Sequence, residues 1–367
     1  AQADILKKSN KLMTCIYNSF KFDIDSVVEN SLKETLVHYA RLYVNSFVSI
    51  LQVLKKLQET YKDISLLIFI CNYNANLSEP VSALISEYDF FISDLVKKYC
   101  EKNNITFTEI NIKNKSNKNN IKNKGFINKI LSQLLVWSYK NKIKKISSNP
   151  NILITTTSYN MASIAKNISD KLQGINVCAW VNSGQSFIMG FSVFDIYKIN
   201  NFIKEDYIIK LKDVFGEFIN AFEFEFVYDG ISFREEFCLK LEKDLIPYLV
   251  DLYHFSLVLR KFIKEANIKL LLSPFSAEHS HVAGELCKFY NIPAILIPQK
   301  TLVTPGNDIE ALEQLYIGKR QVSNDYSVVG MQTPLINDYL DWSGYNGKKV
   351  KIGPLVFSKL NQEKNKV

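Results

Sequence analysis

The sequence predicts an α/β fold: a Rossmann-like, mostly parallel sheet with helices on both faces, preceded by an N-terminal helical segment. Three observations carry this. Short continuous apolar runs, such as Leu66-Leu67-Ile68-Phe69-Ile70-Cys71, have the length and purity of strands buried on both faces. Segments with apolar residues at helical spacing lie between such runs, and alternating strand and helix is the order that βαβ units produce. The 367 residues are 47% hydrophobic and 22% charged, an ordinary globular composition with length for one large domain or two smaller ones.

Residues 1–62 read as helical, with Ile, Leu, Val and Tyr at helical spacing from Val27 to Leu57. After the run at 66–71 comes a polar loop. Glu79-Pro80 then opens a helix, because the N–H that proline lacks is unpaired in a first turn anyway. Residues 105–112 read as a strand, and a Lys- and Asn-rich linker leads to a helix over 126–142. The alternation continues with strands at 151–157 and 176–181 around a helix at 159–172, then a mostly helical stretch at 198–222. A short strand at 224–228 precedes a long helix over 234–266. Strands at 268–272, 293–297 and 326–329 and helices at 277–290 and 334–342 complete the pattern. The domain reading is a helical segment at 1–62, an α/β domain at 63–345 and a linker at 346–367 that opens a further domain.

The net charge is +8, and much of the excess falls in 113–124 and 140–145. Such runs are solvated loops or, functionally, a surface drawn to an anionic membrane face. Nucleic acid is not the expected partner, since no aromatics are interleaved to form a stacking platform. The six cysteines contain no C-x-x-C pair, which argues against a zinc ribbon or a disulfide framework. Cys71 and Cys178 sit in apolar runs and read as small buried hydrophobes in a reducing, cytoplasmic setting. Residues 1–13 are polar, without the apolar core of a signal peptide. The longest uncharged stretch, Leu172 to Phe194, is too rich in Asn, Gln and Ser for a membrane span.

In parallel sheets ligands bind beyond the carboxyl ends of the strands, so the loops that follow strands are the candidate sites. The loop Ser273-Pro274-Phe275-Ser276-Ala277-Glu278-His279-Ser280-His281 enters a helix, whose free N–H groups favour anions. Glu278 and His281, three apart, would share a helix face as a general acid/base couple. The plainer alternative is that Ser276 caps the helix and the histidines lie on the surface. Pro298-Gln299-Lys300-Thr301 follows another strand and offers an amide and an ammonium to a sugar or phosphate. Tyr228-Asp229-Gly230, with Arg234, Glu235 and Glu236 close behind, is either a turn or the carrier of a carboxylate base, Asp229. Thr155-Thr156-Thr157-Ser158 supplies hydroxyls for a sugar or a helix cap. There is no G-x-G-x-x-G, P-loop or G-x-S-x-G motif. An H-x-H pair alone is weak as a zinc motif, and His38 and His254, on helical stretches, read as structural.

From Ile268 to Tyr339 the chain resembles bacterial surface-polysaccharide proteins of the GT-B class. The resemblance rests on Asn291-Ile292-Pro293-Ala294-Ile295-Leu296-Ile297-Pro298-Gln299-Lys300 and on Val329-Gly330-Met331-Gln332-Thr333-Pro334-Leu335-Ile336-Asn337-Asp338-Tyr339. It implies a glycosyltransferase of capsule or lipopolysaccharide assembly, with a nucleotide-sugar donor as substrate and no separate cofactor or metal. The acceptor would be a glycan or lipid-linked glycan, met at the inner face of the membrane. Under it, Asp229 or Glu278, with His281, activates the acceptor hydroxyl. Gln299, Lys300 and Arg234 face the departing phosphate, and His279, Thr156 and Ser158 help hold substrate. Lys300-Thr301 stand where those proteins carry histidine-glycine, and no histidine precedes a proline, so a CMP-sugar is not expected. The resemblance also implies a second nucleotide-binding domain after Tyr339, which makes this chain the acceptor-side part, inactive by itself. A nucleotide-sugar epimerase, a polyol-phosphate transferase and a non-catalytic glycan- or partner-binding module fit the same architecture.

Overall fold

The computed structural model describes residues 25–61, 64–71, 90–112, 143–155, 170–180, 192–194, 226–298 and 302–353, with single positions among 7–18, 141, 161–168 and 213. In chain order the elements are α1 (Glu29–Thr60), β1 (Ser65–Cys71), α2 (Phe90–Asn103), β2 (Thr106–Ile112), β3 (Asn151–Ile154), β4 (Asn176–Trp180) and β5 (Ser192–Phe194). They continue with β6 (Val227–Tyr228), β7 (Ile231–Ser232), α3 (Arg234–Lys240), a π-helical turn (Leu241–Leu245) and α4 (Ile246–Glu265). The last are β8 (Ile268–Ser273), α5 (His279–Phe289), β9 (Ala294–Leu296), α6 (Asp308–Gln321), β10 (Val328–Met331), α7 (Leu335–Trp342) and β11 (Lys348–Lys351). The chain divides into two units, one of residues 1–22, 33–122 and 205–250, the other of 23–32, 123–204 and 251–367.

In the first unit β1 and β2 pair in parallel, Ser65 opposite Thr106 through Cys71 opposite Ile112, with α2 packed on both. This is the βαβ arrangement that a parallel pair requires. Residues 33–60 of α1 bury Leu36, Ala40, Tyr43, Phe47, Leu51 and Leu54, a stripe in steps of three and four. Phe47 packs on Phe233, and Phe226 on both Phe233 and Phe237. The helical reading of 1–62 is broken at 25–28, where the Asp25 carboxylate accepts the Val27 N–H in a turn before α1. The long helix expected over 234–266 contains the π-helical turn, which lies between α3 and α4 and holds Asp244 in a buried ion pair with Lys240, the residue before the turn.

The second unit holds a seven-stranded, all-parallel sheet in the order β11-β10-β9-β8-β3-β4-β5. Numbered by their sequence order within this sheet, the strands run 7-6-5-4-1-2-3. Read from the other edge, this is the 3-2-1-4-5-6 doubly wound order with one strand added. All four residues of β3 are buried, as its uninterrupted apolar run requires. On one face Ile152, Ile154, Val177, Ala179 and Leu272 meet Met161, Ile164 and Ile168, which are spaced as one helical stripe. The strand expected at 326–329 lies two residues later, because Tyr326 turns inward before it: fully buried, it donates its hydroxyl to the Ser280 carbonyl, 2.6 Å. Cys178 behaves as expected, its thiol pushed up by burial; the side chain of Cys71 lies outside the described residues.

β3 is anchored by Asn151, whose buried amide donates to the carbonyls of Ile146 (2.8 Å), Asn149 (2.8 Å) and Ala266 (2.6 Å). Asn151→Ala leaves those carbonyls short of a donor and is expected to cost about 2–3 kcal/mol in denaturant unfolding. A loss within error would mean that water replaces the amide. On α4, burial pushes the His254 imidazole down to about 4 from its ordinary 6.5. Its contribution to stability is therefore complete above pH 6.5 and fades as pH falls through 4. The wild type is expected to lose about 2 kcal/mol more than His254→Gln across that window; parallel pH profiles would contradict it. No helix among the described residues is long and apolar enough to cross a membrane.

Candidate functional site

The strand order reverses between β3 and β8, which are neighbours in the sheet. From β3 the chain goes on to β4 on one side; from β8 it goes on to β9 on the other. With right-handed crossovers the two connections rise on opposite faces and leave a crevice beyond the carboxyl ends of these two strands. Two hydroxyls stand at the ends of these strands. Thr155 and Ser273, both buried, lie 2.7 Å apart through their Oγ atoms. Ser273 donates its proton to the Phe275 carbonyl at 2.6 Å, so Thr155 is the donor between them. The pair stitches the ends of two strands that are far apart in sequence.

The loop after β8 is fixed rather than free. The Ser276 N–H donates to the Arg320 carbonyl at 3.0 Å, and the Arg320 guanidinium pairs with the Glu278 carboxylate. Glu278 itself sits at φ 50°, ψ −118°, backbone that an L side chain adopts at a cost of about 1–3 kcal/mol and that concentrates at functional sites. It is the residue before α5, and its own side chain makes no capping hydrogen bond to the helix. The expected Glu278–His281 couple is corrected accordingly. Glu278 precedes the helix and is engaged by Arg320, while His281 Nε2 lies 2.9 Å from Asp325 Oδ2 and 3.3 Å from Ser323 Oγ. His279 is half-buried: its ring packs edge-on against Phe255, and burial pushes the imidazole down to about 4.

Helix α5 is buried from Ser280 to Cys287, polar residues included. Gly284 lets it approach Tyr326, whose ring carbon would lie 2.9 Å from an added Cβ. Its polar side chains are satisfied by a network. The Glu285 carboxylate accepts the Ser31 N–H at 3.2 Å and the Ser31 hydroxyl. Asp325 accepts from Ser323 at 2.6 Å and from Lys288 at 3.0 Å. Burial pushes the Glu285 carboxyl up to about 7, against the lowering pull of His281 and Ser31. Burial also works to raise Asp325, but the hydrogen bond and charge of His281, with Ser323 and Lys288, hold it well below the usual range.

Asp229, in the first unit, has a different setting. It and Gly230 are the two central residues of the β6–β7 hairpin, at φ 50° and 70°. Positive φ at both positions is the type I′ turn that Asp-Gly favours. The carboxylate lies 3.3 Å from Lys55, and the carbonyl accepts from Lys102. The turn reading of this stretch accounts for both residues. Arg234 opens α3, exposed, and hydrogen-bonds the Cys238 thiol, which burial pushes up and Arg234 pulls back. The two carboxylates considered as bases, Asp229 and Glu278, thus belong to different units. Thr156, Ser158, Gln299 and Lys300 lie outside the described residues. Beside the last two, the Gln332 side chain donates to the Pro298 carbonyl at 2.6 Å, tying the ends of β9 and β10.

Three residues that the sequence did not single out belong here: Arg320, Glu285 and Asp325. Arg320 and Asp325 lie in a stretch read as connecting chain, and Glu285 read as an ordinary helical residue. Compared with protein-family models, curated proteins and solved structures, the chain has no significant match.

Proposed function

We propose that the chain binds a nucleotide-sugar at the β3–β8 switch point and serves as a GT-B-like glycosyltransferase of surface-polysaccharide assembly. The reading is supported above all by the doubly wound strand order, which sets a strained loop and a helix start at the crevice where nucleotides bind in such sheets. The sequence reading gives this part of the chain the acceptor side; the strand order favours the donor. Arg320 is the group for the diphosphate, since a planar guanidinium grips phosphate oxygens in pairs. As Arg320 turns to the diphosphate it releases Glu278. That carboxylate then takes the proton of an acceptor hydroxyl, whose oxygen attacks the anomeric carbon while the nucleoside diphosphate leaves with its negative charge on Arg320. The acceptor is a glycan or lipid-linked glycan.

Titration calorimetry with UDP- and GDP-sugars tests the reading. Saturable binding of one of them is expected, and Arg320→Ala should weaken it at least about tenfold, the equivalent of one lost charged hydrogen bond. Arg320→Lys, which keeps the charge, should fall between. Absence of saturable binding, or equal affinity in the wild type and Arg320→Ala, would contradict it.

A further inference from the structure

We propose that His281, Glu285 and Asp325 form a binding site for a divalent transition-metal ion of the zinc class, independent of the nucleotide reading. His281 and Glu285 stand four apart on α5 and so project from one face of the helix. Asp325 arrives from the segment before β10, so two separate elements close on one point. One ligand atom from each of the three lies within 4.8 Å of the others. Atoms bound at about 2.0–2.2 Å to one tetrahedral ion stand about 3.3–3.6 Å apart, so the widest pair of the trio needs to close by about an ångström. The His281–Asp325 separation of 2.9 Å is already short enough.

The surroundings fit the same use. His281 is 3% exposed and the Asp325 side chain 12%, which keeps bulk water away. One oxygen of Glu285 is held by both the N–H and the hydroxyl of Ser31. Outer partners of this kind orient carboxylate ligands and leave their other oxygen for the ion. Lys288 reaches Asp325 from the solvent side, its own side chain 61% exposed. The inner face of the cluster therefore presents one imidazole and two carboxylates. A nitrogen with two oxygens suits zinc, cobalt or manganese rather than the all-oxygen shell of calcium. Such an ion would lock α5, the helix whose start borders the crevice, to the segment before β10.

The test uses the full chain, stripped with a chelator and titrated with Co2+ and with Zn2+. One ion per chain is expected, with the visible absorption of low-symmetry Co2+ and a rise in melting temperature. His281→Ala and Glu285→Gln should each weaken binding more than tenfold. Should those variants fail to fold, the exposed Lys288→Ala carries the test: without the competing ammonium on Asp325, the metal should bind severalfold tighter. No binding beyond weak, multiple sites, or a bound ion that His281→Ala leaves in place, or unchanged affinity in Lys288→Ala, would overturn the proposal.

Discussion

Asp325→Ala, measured in metal-free buffer, is expected to lower the stability of the parallel-sheet unit by about 3–5 kcal/mol, the cost of removing one partner from a buried charged network. The carboxylate receives His281, Ser323 and Lys288 at 2.9, 2.6 and 3.0 Å. Lys288 turns to water when it is lost, but His281, 3% exposed, keeps a buried ring nitrogen without that partner. Asp325→Asn should fall between, since an amide satisfies Ser323 and fails the charges. The measurement is direct because Trp180 on β4 and Trp342 on α7 lie in this unit. Their fluorescence reports its unfolding apart from the other unit. A shift under about 1 kcal/mol, the range of an exposed ion pair, would show that water already screens the network.

Gly318→Ala is the second large effect, and here two physical arguments predict opposite signs. Gly318 lies inside α6, where alanine is worth about 1 kcal/mol more than glycine by intrinsic preference. A Cβ at this position would land on the Tyr339 hydroxyl and stand 3.0 Å from its Cζ. Tyr339 is fully buried on α7, so its ring yields only by displacing packed neighbours. Overpacking of this kind costs about 1–3 kcal/mol, so the substitution is expected to destabilise in spite of the better helix former. The Tyr339 hydroxyl has no hydrogen-bond partner among the described residues. Tyr339→Phe should therefore be neutral or slightly stabilising. In the double variant the clash loses its nearest atom, and the cost of Gly318→Ala should shrink by a measurable coupling. A stabilising Gly318→Ala would show that the helices stand further apart than described.

How much of this was legible in the sequence follows from what each element buries. Parallel strands buried on both faces write themselves as continuous apolar runs, so β1, β3 and β8 could be read within a few residues of their true bounds. β11 could not. Its sequence is Lys-Lys-Val-Lys on the edge of the sheet, where lysines blunt an open edge and hide the strand from a hydrophobic reading. α6 escaped for a related reason: its apolar residues form no clear stripe. Its true signal was local, since Asn307 accepts the N–H groups of Ile309 and Glu310 while Glu310 reaches back to Gly306. That reciprocal cap is readable as N-x-x-E. Asp-Gly at 229–230 was legible as a turn because the conformation is demanded by the two residues themselves.

What no local pattern contains is who neighbours whom. The pairing of β3 with β8 joins residues more than a hundred positions apart, and the switch point exists only through that pairing. Likewise, residues 205–250 interrupt the chain between β5 and β8 and belong with the unit of α2 and β2. The partners of the candidate site share this property. Glu278 meets Arg320 forty-two positions on, and Glu285 meets Ser31 at a separation of 254. Spacing rules see residues three or four apart on one helix, so they joined Glu278 to His281 and missed Arg320.

Photolabelling with an azido-nucleotide sugar, followed by mapping of the modified peptides, tests the central claim most directly. The account predicts saturable labelling confined to the chain just after β3 and to the loop 273–281, suppressed by unlabelled nucleotide-sugar and reduced in Arg320→Ala. Labelling that clusters instead in the first unit, around the hairpin at 227–232, or that fails to saturate, would contradict it.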